Sequence, residues 1–97
     1  MGGAESLKFY RAVISEKARR DIKKMDKQEQ RLIMSYIIEK LDGCTNPRND
    51  GKALMGNLGH LWSYRVGNYR VLAEIDDGEI TIKVVGAGHR KQIYRKI

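Results

Sequence analysis

Residues 61–97, LWSYRVGNYRVLAEIDDGEITIKVVGAGHRKQIYRKI, decide the fold. Three apolar-alternating segments are separated by two turn signals. In Leu61 to Val66, Trp62, Tyr64 and Val66 face one way, and Leu61, Ser63 and Arg65 the other. Gly67-Asn68 is a two-residue hairpin signal. In Tyr69 to Ile75, the apolar positions Tyr69, Val71, Ala73 and Ile75 oppose Arg70, Leu72 and Glu74. Asp77-Gly78 is a second hairpin signal. In Glu79 to Val85, Ile80, Ile82 and Val84 point inward, with Thr81, Lys83 and Val85 opposite. Period-2 alternation places one face of each strand on a core and the other toward solvent. The solvent face therefore collects Arg65, Arg70 and Lys83, with Glu74 as the acidic neighbour. Gly86 and Gly88 bracket the exit from the third strand, where the backbone can turn. A tail follows with His89, Arg90, Lys91, Tyr94 and Arg95 and no acidic residue. On a helix Arg90 and Tyr94 share a face.

Upstream, Lys8 to Ile14 (KFYRAVI) is rich in aromatic and β-branched residues and reads as a strand. Ser15 stands at an N-cap, before a short helix with Ala18, Ile22 and Met25 on one stripe. Asp26 starts a second helix, and Glu29 three residues on resembles a capping box. Ile33, Ile37 and Leu41 form its apolar stripe, which ends near Asp42-Gly43. Cys44 to Gly59 is loop-like, with a brief turn or helical bend over Lys52 to Leu58. The expected fold class is α+β, in the order β-α-α-β-β-β-(α). A helical hairpin covers one face of a small, mainly antiparallel sheet. Residues 1–7 are read as a flexible leader and 8–97 as one domain.

The chain has 97 residues, enough for one modest core, and 41% of them are hydrophobic. Nineteen Lys and Arg against 12 Asp and Glu give a formal charge of +7, which favours an anionic partner. One cysteine, Cys44, allows no intrachain disulfide and no Cys cluster for zinc, which suits a reducing, cytoplasmic setting. Two histidines, His60 and His89, form no metal motif, so no metal or other cofactor is expected. No apolar run reaches the roughly 20 residues that span a bilayer, so no membrane role is expected. Phosphate-loop, HExxH and nucleophile-elbow motifs are absent.

Arginine is a permanent cation with a planar donor fork suited to phosphate oxygens. Arg65 and Arg70 sit on adjacent strands of one hairpin, so their side chains can converge. The plain alternative is a pair of solvated surface arginines. Trp62 is assigned to packing, because it alternates inward with Tyr64.

Trp62, Tyr64, Arg65, Val66, Gly67, Tyr69 and Arg70, followed by Gly88, His89, Arg90, Ile93 and Tyr94, resemble the C-terminal pattern of the RelE/ParE toxin superfamily. The upstream strand and helical hairpin occur in the matching order, so the resemblance covers about residues 8–97. It implies a type II toxin of the RelE kind: a ribosome-dependent mRNA endoribonuclease acting in the ribosomal A site and stopping translation. It also implies a cognate RelB-like antitoxin, and binding to operator DNA only through that antitoxin. Carried over by motif, the catalytic set falls on Arg65, Arg70, Arg90 and Tyr94, with His89 as a rival acid or base. Lys52, Lys83, Lys91 and Arg95 are the further RNA-binding candidates. Ribonuclease members often carry a Lys or Arg two residues before the position of Arg65. Here that residue is Ser63, and Lys52 or Lys83 would have to compensate. The alternatives are a non-catalytic ParE-like toxin that inhibits gyrase, and a degenerate basic binding module.

Overall fold

The computed structural model describes residues 7–89. The expectations placed on Arg90, Lys91, Tyr94 and Arg95, on the C-terminal helix and on residues 1–6 fall outside the described residues. In chain order the elements are β1 (Arg11–Ile14), α1 (Glu16–Lys23), α2 (Lys27–Tyr36), β2 (Lys52–Ala53), β3 (Trp62–Val66), β4 (Tyr69–Asp76) and β5 (Thr81–His89). The five strands form one mixed sheet in the order β1-β5-β4-β3-β2. β1 runs parallel to β5, and the other neighbours are antiparallel. The expected α+β architecture is what forms, with β2 as an added strand in the segment read as loop or helical bend. A single 3-10 turn, Gly56–Leu58, follows β2.

α1 starts where Ser15 was expected to cap it: the Ser15 hydroxyl accepts the Ala18 N–H at 3.1 Å. α2 starts at Asp26, but the Asp26 side chain makes no capping bond, so the expected box does not close. Gln30 ties the helix junction instead, donating from Nε2 to the Met25 carbonyl at 2.8 Å. α2 runs on into a π-helical turn, Ile37–Leu41, where the Asp42 N–H donates to the Ile37 carbonyl at 2.8 Å. Ile33, Ile37 and Leu41 are all buried, as their spacing predicts. Together with Ala18 and Ile22 they cover Tyr64, Val66, Val71, Ala73, Ile82, Val84 and Ala87 on the inner face of the sheet.

β1 is shorter than the strand expected over Lys8 to Ile14. Its partner sets the limit: β5 begins at Thr81, opposite Arg11, so residues before Arg11 have no ladder to join. Tyr10 bonds the helix exit instead, through its N–H to the Cys44 carbonyl at 2.8 Å and its carbonyl to the Gly43 N–H at 2.7 Å.

Both hairpins form, with different turns. At Gly67-Asn68 the strands close directly, Val66 opposite Tyr69. Gly67 has φ of 61°, the left-handed first position of a II′ turn. The Asp77-Gly78 hairpin is not a two-residue turn. Asp76 pairs with Thr81 across a four-residue loop, and Ile80 takes φ of 52°. A β-branched residue in that region is uncommon. Here the Ile80 carbonyl accepts the Arg11 N–H at 3.0 Å and so opens the β1–β5 pairing.

β5 continues four residues past Val85, and Gly86 and Gly88 lie inside the strand rather than turning it. Leu72 pairs with Gly86 and Ala73 with Val84, so Val85 is the extra residue of a bulge. A bulge shifts the parity of every following side chain. Gly86 and Gly88 therefore take the outer face, while Ala87 and His89 turn to the inner one.

Candidate functional site

The outer face of the sheet is split in two. One half is not solvated: Leu61 and Leu72 are buried there, with Leu54, Leu58 and Val85 packed around them. The segment between β2 and β3 folds over the sheet to form this second small core. Ser63, directly opposite Leu72, is fully buried in the same row.

The other half is open and cationic. Arg65 and Arg70 are paired directly across the β3–β4 ladder, next to the Gly67 turn. Cross-strand partners share a face, with Cβ atoms about 4.5–5.5 Å apart. Two like charges placed there repel unless an anion lies between them. On its other side Arg70 pairs with Gly88, so no side chain crowds it from β5. Arg65 is exposed and Arg70 is half-buried. Arg70 Nε is a buried donor without a hydrogen-bond partner among the described residues. Neither arginine joins an ion pair among the described residues. A cross-strand pair of guanidinium forks, one with a buried donor left unpartnered among the described residues, is suited to an oxyanion such as phosphate.

Lys83 lies on the same face but not at the same place. It pairs with Glu74 across β4–β5, four residues along β4 from Arg70. At about 3.3 Å per residue that is roughly 13 Å away, with a carboxylate beside it. Lys52 is much closer: it pairs with Ser63, two residues from Arg65.

His89 departs from the expected convergence. The bulge at Val85 sends it to the inner face, opposite Tyr69, where the two rings meet edge-on with centroids 5.7 Å apart. It lines a cleft of about 400 Å³ with Asp21, Lys24, Met25, Asp26 and Tyr69, behind the arginine pair.

Two anchors that hold the two ends of the sheet were not legible beforehand. Asp21 on α1 is buried, and its Oδ2 accepts the Ala87 N–H at 3.2 Å and Lys17 Nζ at 3.0 Å. β1 ends opposite Val84, so the edge of β5 beyond it needs another partner, and α1 supplies one. At the other end, Asp77 accepts Arg48 Nη1 at 3.0 Å and the Tyr10 hydroxyl at 2.7 Å. These bonds, the Arg48 guanidinium first, hold the Asp77 carboxyl below its ordinary range. The Tyr64 hydroxyl donates to the Pro47 carbonyl at 2.6 Å, and burial pushes that phenol well up, so it stays protonated. Burial likewise raises the Cys44 thiol. Among the described residues no group of three or more His, Cys, Asp or Glu is placed to hold a metal ion. No helix of the described residues is long and apolar enough to cross a membrane.

A family model described as the ParE toxin of the type II toxin–antitoxin system, parDE, matches residues 12–94. The chain belongs to the RelE/ParE superfamily of type II toxins. It is 30% identical over 86 residues to Toxin RelE of Mycobacterium tuberculosis (strain ATCC 25618 / H37Rv), covering 89% of this chain and 87% of that one. It is 33% identical over 89 residues to Toxin RelG of the same organism, covering 90% and 98%. Its backbone is similar to a chain of the toxin–antitoxin complex RelBE2 from Mycobacterium tuberculosis, with a TM-score of 0.77, 29% identity and coverage of 84% and 92%. The isolated E. coli RelE toxin shares the fold, with a TM-score of 0.65 at 19% identity over 90% of this chain and 93% of that one. Membership in this superfamily agrees with the resemblance carried by the Trp62 to Tyr94 pattern. It also accounts for the two-helix layer and the mixed sheet of this toxin.

Proposed function

We propose that this toxin is an endoribonuclease that cuts mRNA in the ribosomal A site and so stops translation. The observation that carries the proposal is the Arg65–Arg70 cross-strand pair on the outer face, with Arg65 exposed and a buried donor on Arg70 that has no partner among the described residues. The toxins named RelE and RelG among its relatives support the same reading.

Cleavage proceeds by attack of an RNA 2′-oxygen on the adjacent phosphorus. The P–O5′ bond breaks, leaving a 2′,3′-cyclic phosphate and a free 5′-hydroxyl. The step needs a group that takes the 2′-OH proton, charge stabilisation at the phosphorane, and an acid for the leaving oxygen. Arg65 and Arg70 stabilise the charge. The Arg90 guanidinium, a permanent cation, donates a hydrogen bond to the leaving oxygen, which takes its proton from water. Tyr94 orients or deprotonates the 2′-OH; its ordinary pKa near 10 must be lowered by the cationic field for the second role. His89, turned away from the arginine pair, takes no part. No metal or organic cofactor enters the scheme. DNA, which lacks the 2′-OH, is not cut.

A RelB-like antitoxin neutralises the toxin by placing acidic residues over the cationic face. This inhibition is partly electrostatic and weakens with salt. Operator DNA is bound only through the antitoxin.

Inducing the wild-type chain and Arg70→Ala in bacteria, and mapping mRNA ends, tests the proposal. New ends within coding sequence that vanish with Arg70→Ala are expected. Equal growth arrest by both, or no cuts in coding sequence, overturns it. The match to the ParE family model favours a second reading, gyrase inhibition through protein contacts. A supercoiling assay separates the two: inhibited gyrase with intact mRNA selects the second.

A further inference from the structure

We infer that the two-residue strand β2 is a presenting arm that fixes Lys52 as the third phosphate-binding cation of the outer face, with Gly51 as its positioning residue. This inference rests on the ribonuclease reading and extends its site to a strand that does not belong to the central hairpin.

The register places Lys52 directly opposite Ser63, so the two share the outer face, in the row next to Arg65. Diagonal neighbours on such a ladder are about 7–8 Å apart, within reach of a long side chain. Lys52 is exposed and joins no ion pair among the described residues. Ser63 carries no charge, so Lys52 on β2 is the cation of that row. Lys83 cannot play this part, because Glu74 lies opposite it and it sits roughly 13 Å along the ladder from Arg70.

A two-residue strand has little ladder to hold it, and three contacts outside the ladder supply the rest. Trp62 Nε1 donates to the Asp50 carbonyl at 2.7 Å, and the Tyr64 hydroxyl to the Pro47 carbonyl at 2.6 Å. The third contact is the close approach at Gly51. This residue has φ of 82°, and a Cβ there would stand 2.4 Å from the Ser63 carbonyl oxygen and 2.7 Å from Trp62 Nε1. Only glycine lets the arm lie this close to β3, and Lys52 is the next residue. The backbone conformation and the cation are therefore linked: displacing the arm moves the charge without removing it. A lysine is a point charge rather than a fork. It suits a flanking phosphate, while the paired arginines hold the one under attack.

The test measures binding of the full chain to a single-stranded oligonucleotide with 2′-deoxy nucleotides, which cannot be cut, as a function of salt. Each phosphate contact to a single strand contributes about 0.7 to the slope of log K against log salt. Lys52→Gln is expected to reduce the slope by about 0.7, and Lys52→Arg to restore it. Gly51→Ala is expected to give a similar reduction although every charge is kept. Lys23→Gln on α1 serves as the control for net charge and is expected to leave the slope unchanged. Circular dichroism and thermal unfolding confirm that each variant is folded. If Gly51→Ala does not fold, the Lys52→Gln and Lys52→Arg pair still decides the role of Lys52. A slope for Lys52→Gln equal to wild type, or a loss no greater than that of Lys23→Gln, overturns the inference while leaving the nuclease reading intact. A wild-type chain that cuts no mRNA overturns both.

Discussion

Asp21→Ala tests how the end of β5, and with it the floor beside Arg70, is held. The Asp21 carboxylate accepts a hydrogen bond from the Ala87 N–H at 3.2 Å and an ion pair from Lys17 at 3.0 Å. Its side chain is 8% exposed, that of Lys17 45%. The Ala87 N–H lies beyond the last β1–β5 pair, Ile14 with Val84, so alanine at position 21 removes the hydrogen-bond acceptor it has in place of a strand. A hydrogen bond to a charged group contributes about 1.5–3 kcal/mol. The half-exposed ion pair, screened by water, adds at most about 0.5 kcal/mol. The expected loss is then about 2–3 kcal/mol, a fall in Tm of roughly 10–20 °C for a domain of this size. Thermal unfolding followed by circular dichroism, on wild type, Asp21→Ala and Lys17→Ala, measures it. Lys17→Ala is expected to cost no more than about 0.5 kcal/mol. If Asp21→Ala lies within that margin of wild type, the carboxylate does not hold the edge of β5. If Lys17→Ala is as costly as Asp21→Ala, the stabilisation lies in the ion pair and not in the backbone bond.

Other substitutions probe other parts of the structure. Tyr64→Phe leaves the Pro47 carbonyl without its donor and is expected to cost about 1–3 kcal/mol in urea unfolding, with an unchanged denaturant slope. Asp77, whose folded-state pKa is depressed by Arg48 and Tyr10, stabilises the fold above its unfolded value and loses that contribution as pH falls through the folded one. Asp77→Asn is therefore expected to be less stable than wild type at pH 7, with the gap closing below about pH 4; a gap independent of pH contradicts this. Arg70→Lys keeps the charge and loses the fork, so mRNA cleavage is expected to fall by about 10²-fold with little change in Tm.

The sheet was legible because its signal is local. Period-2 alternation placed the residues of β3 and β4, and of β5 as far as Val85, on the face where they are found, from Trp62 inward to Lys83 outward, while Glu79 and Ile80, read as strand, lie in the turn. The Ser15 cap and the Ile33, Ile37, Leu41 stripe were equally local, and both hold. What was missed depends on pairing. The bulge at Val85 exists because Leu72 meets Gly86 and Ala73 meets Val84, and nothing within VVGAGH announces it. Reading Gly86 and Gly88 as an exit concealed the parity change that carries His89 away from Arg70. Lys52-Ala53 is too short to show periodicity, and only its pairing with Ser63 and Trp62 makes it a strand. Asp21 reads as one more charge on a polar helix face until β1 ends and leaves Ala87 exposed to it. Of the cationic site, the Arg65–Arg70 pair followed directly from the Gly67-Asn68 hairpin, whereas the position of Lys52 and the isolation of Lys83 did not.

The central claim is that the outer-face arginines act on an RNA linkage through its own 2′-hydroxyl. Translating ribosomes, the purified toxin and a message carrying one 2′-deoxy nucleotide at a mapped cut position test it most directly, with end-group analysis of the fragments. Loss of that single cut, with 2′,3′-cyclic phosphate and 5′-hydroxyl ends at the remaining cuts, is the expected result. Undiminished cutting at the deoxy position, or an intact message under a toxic dose, would contradict it.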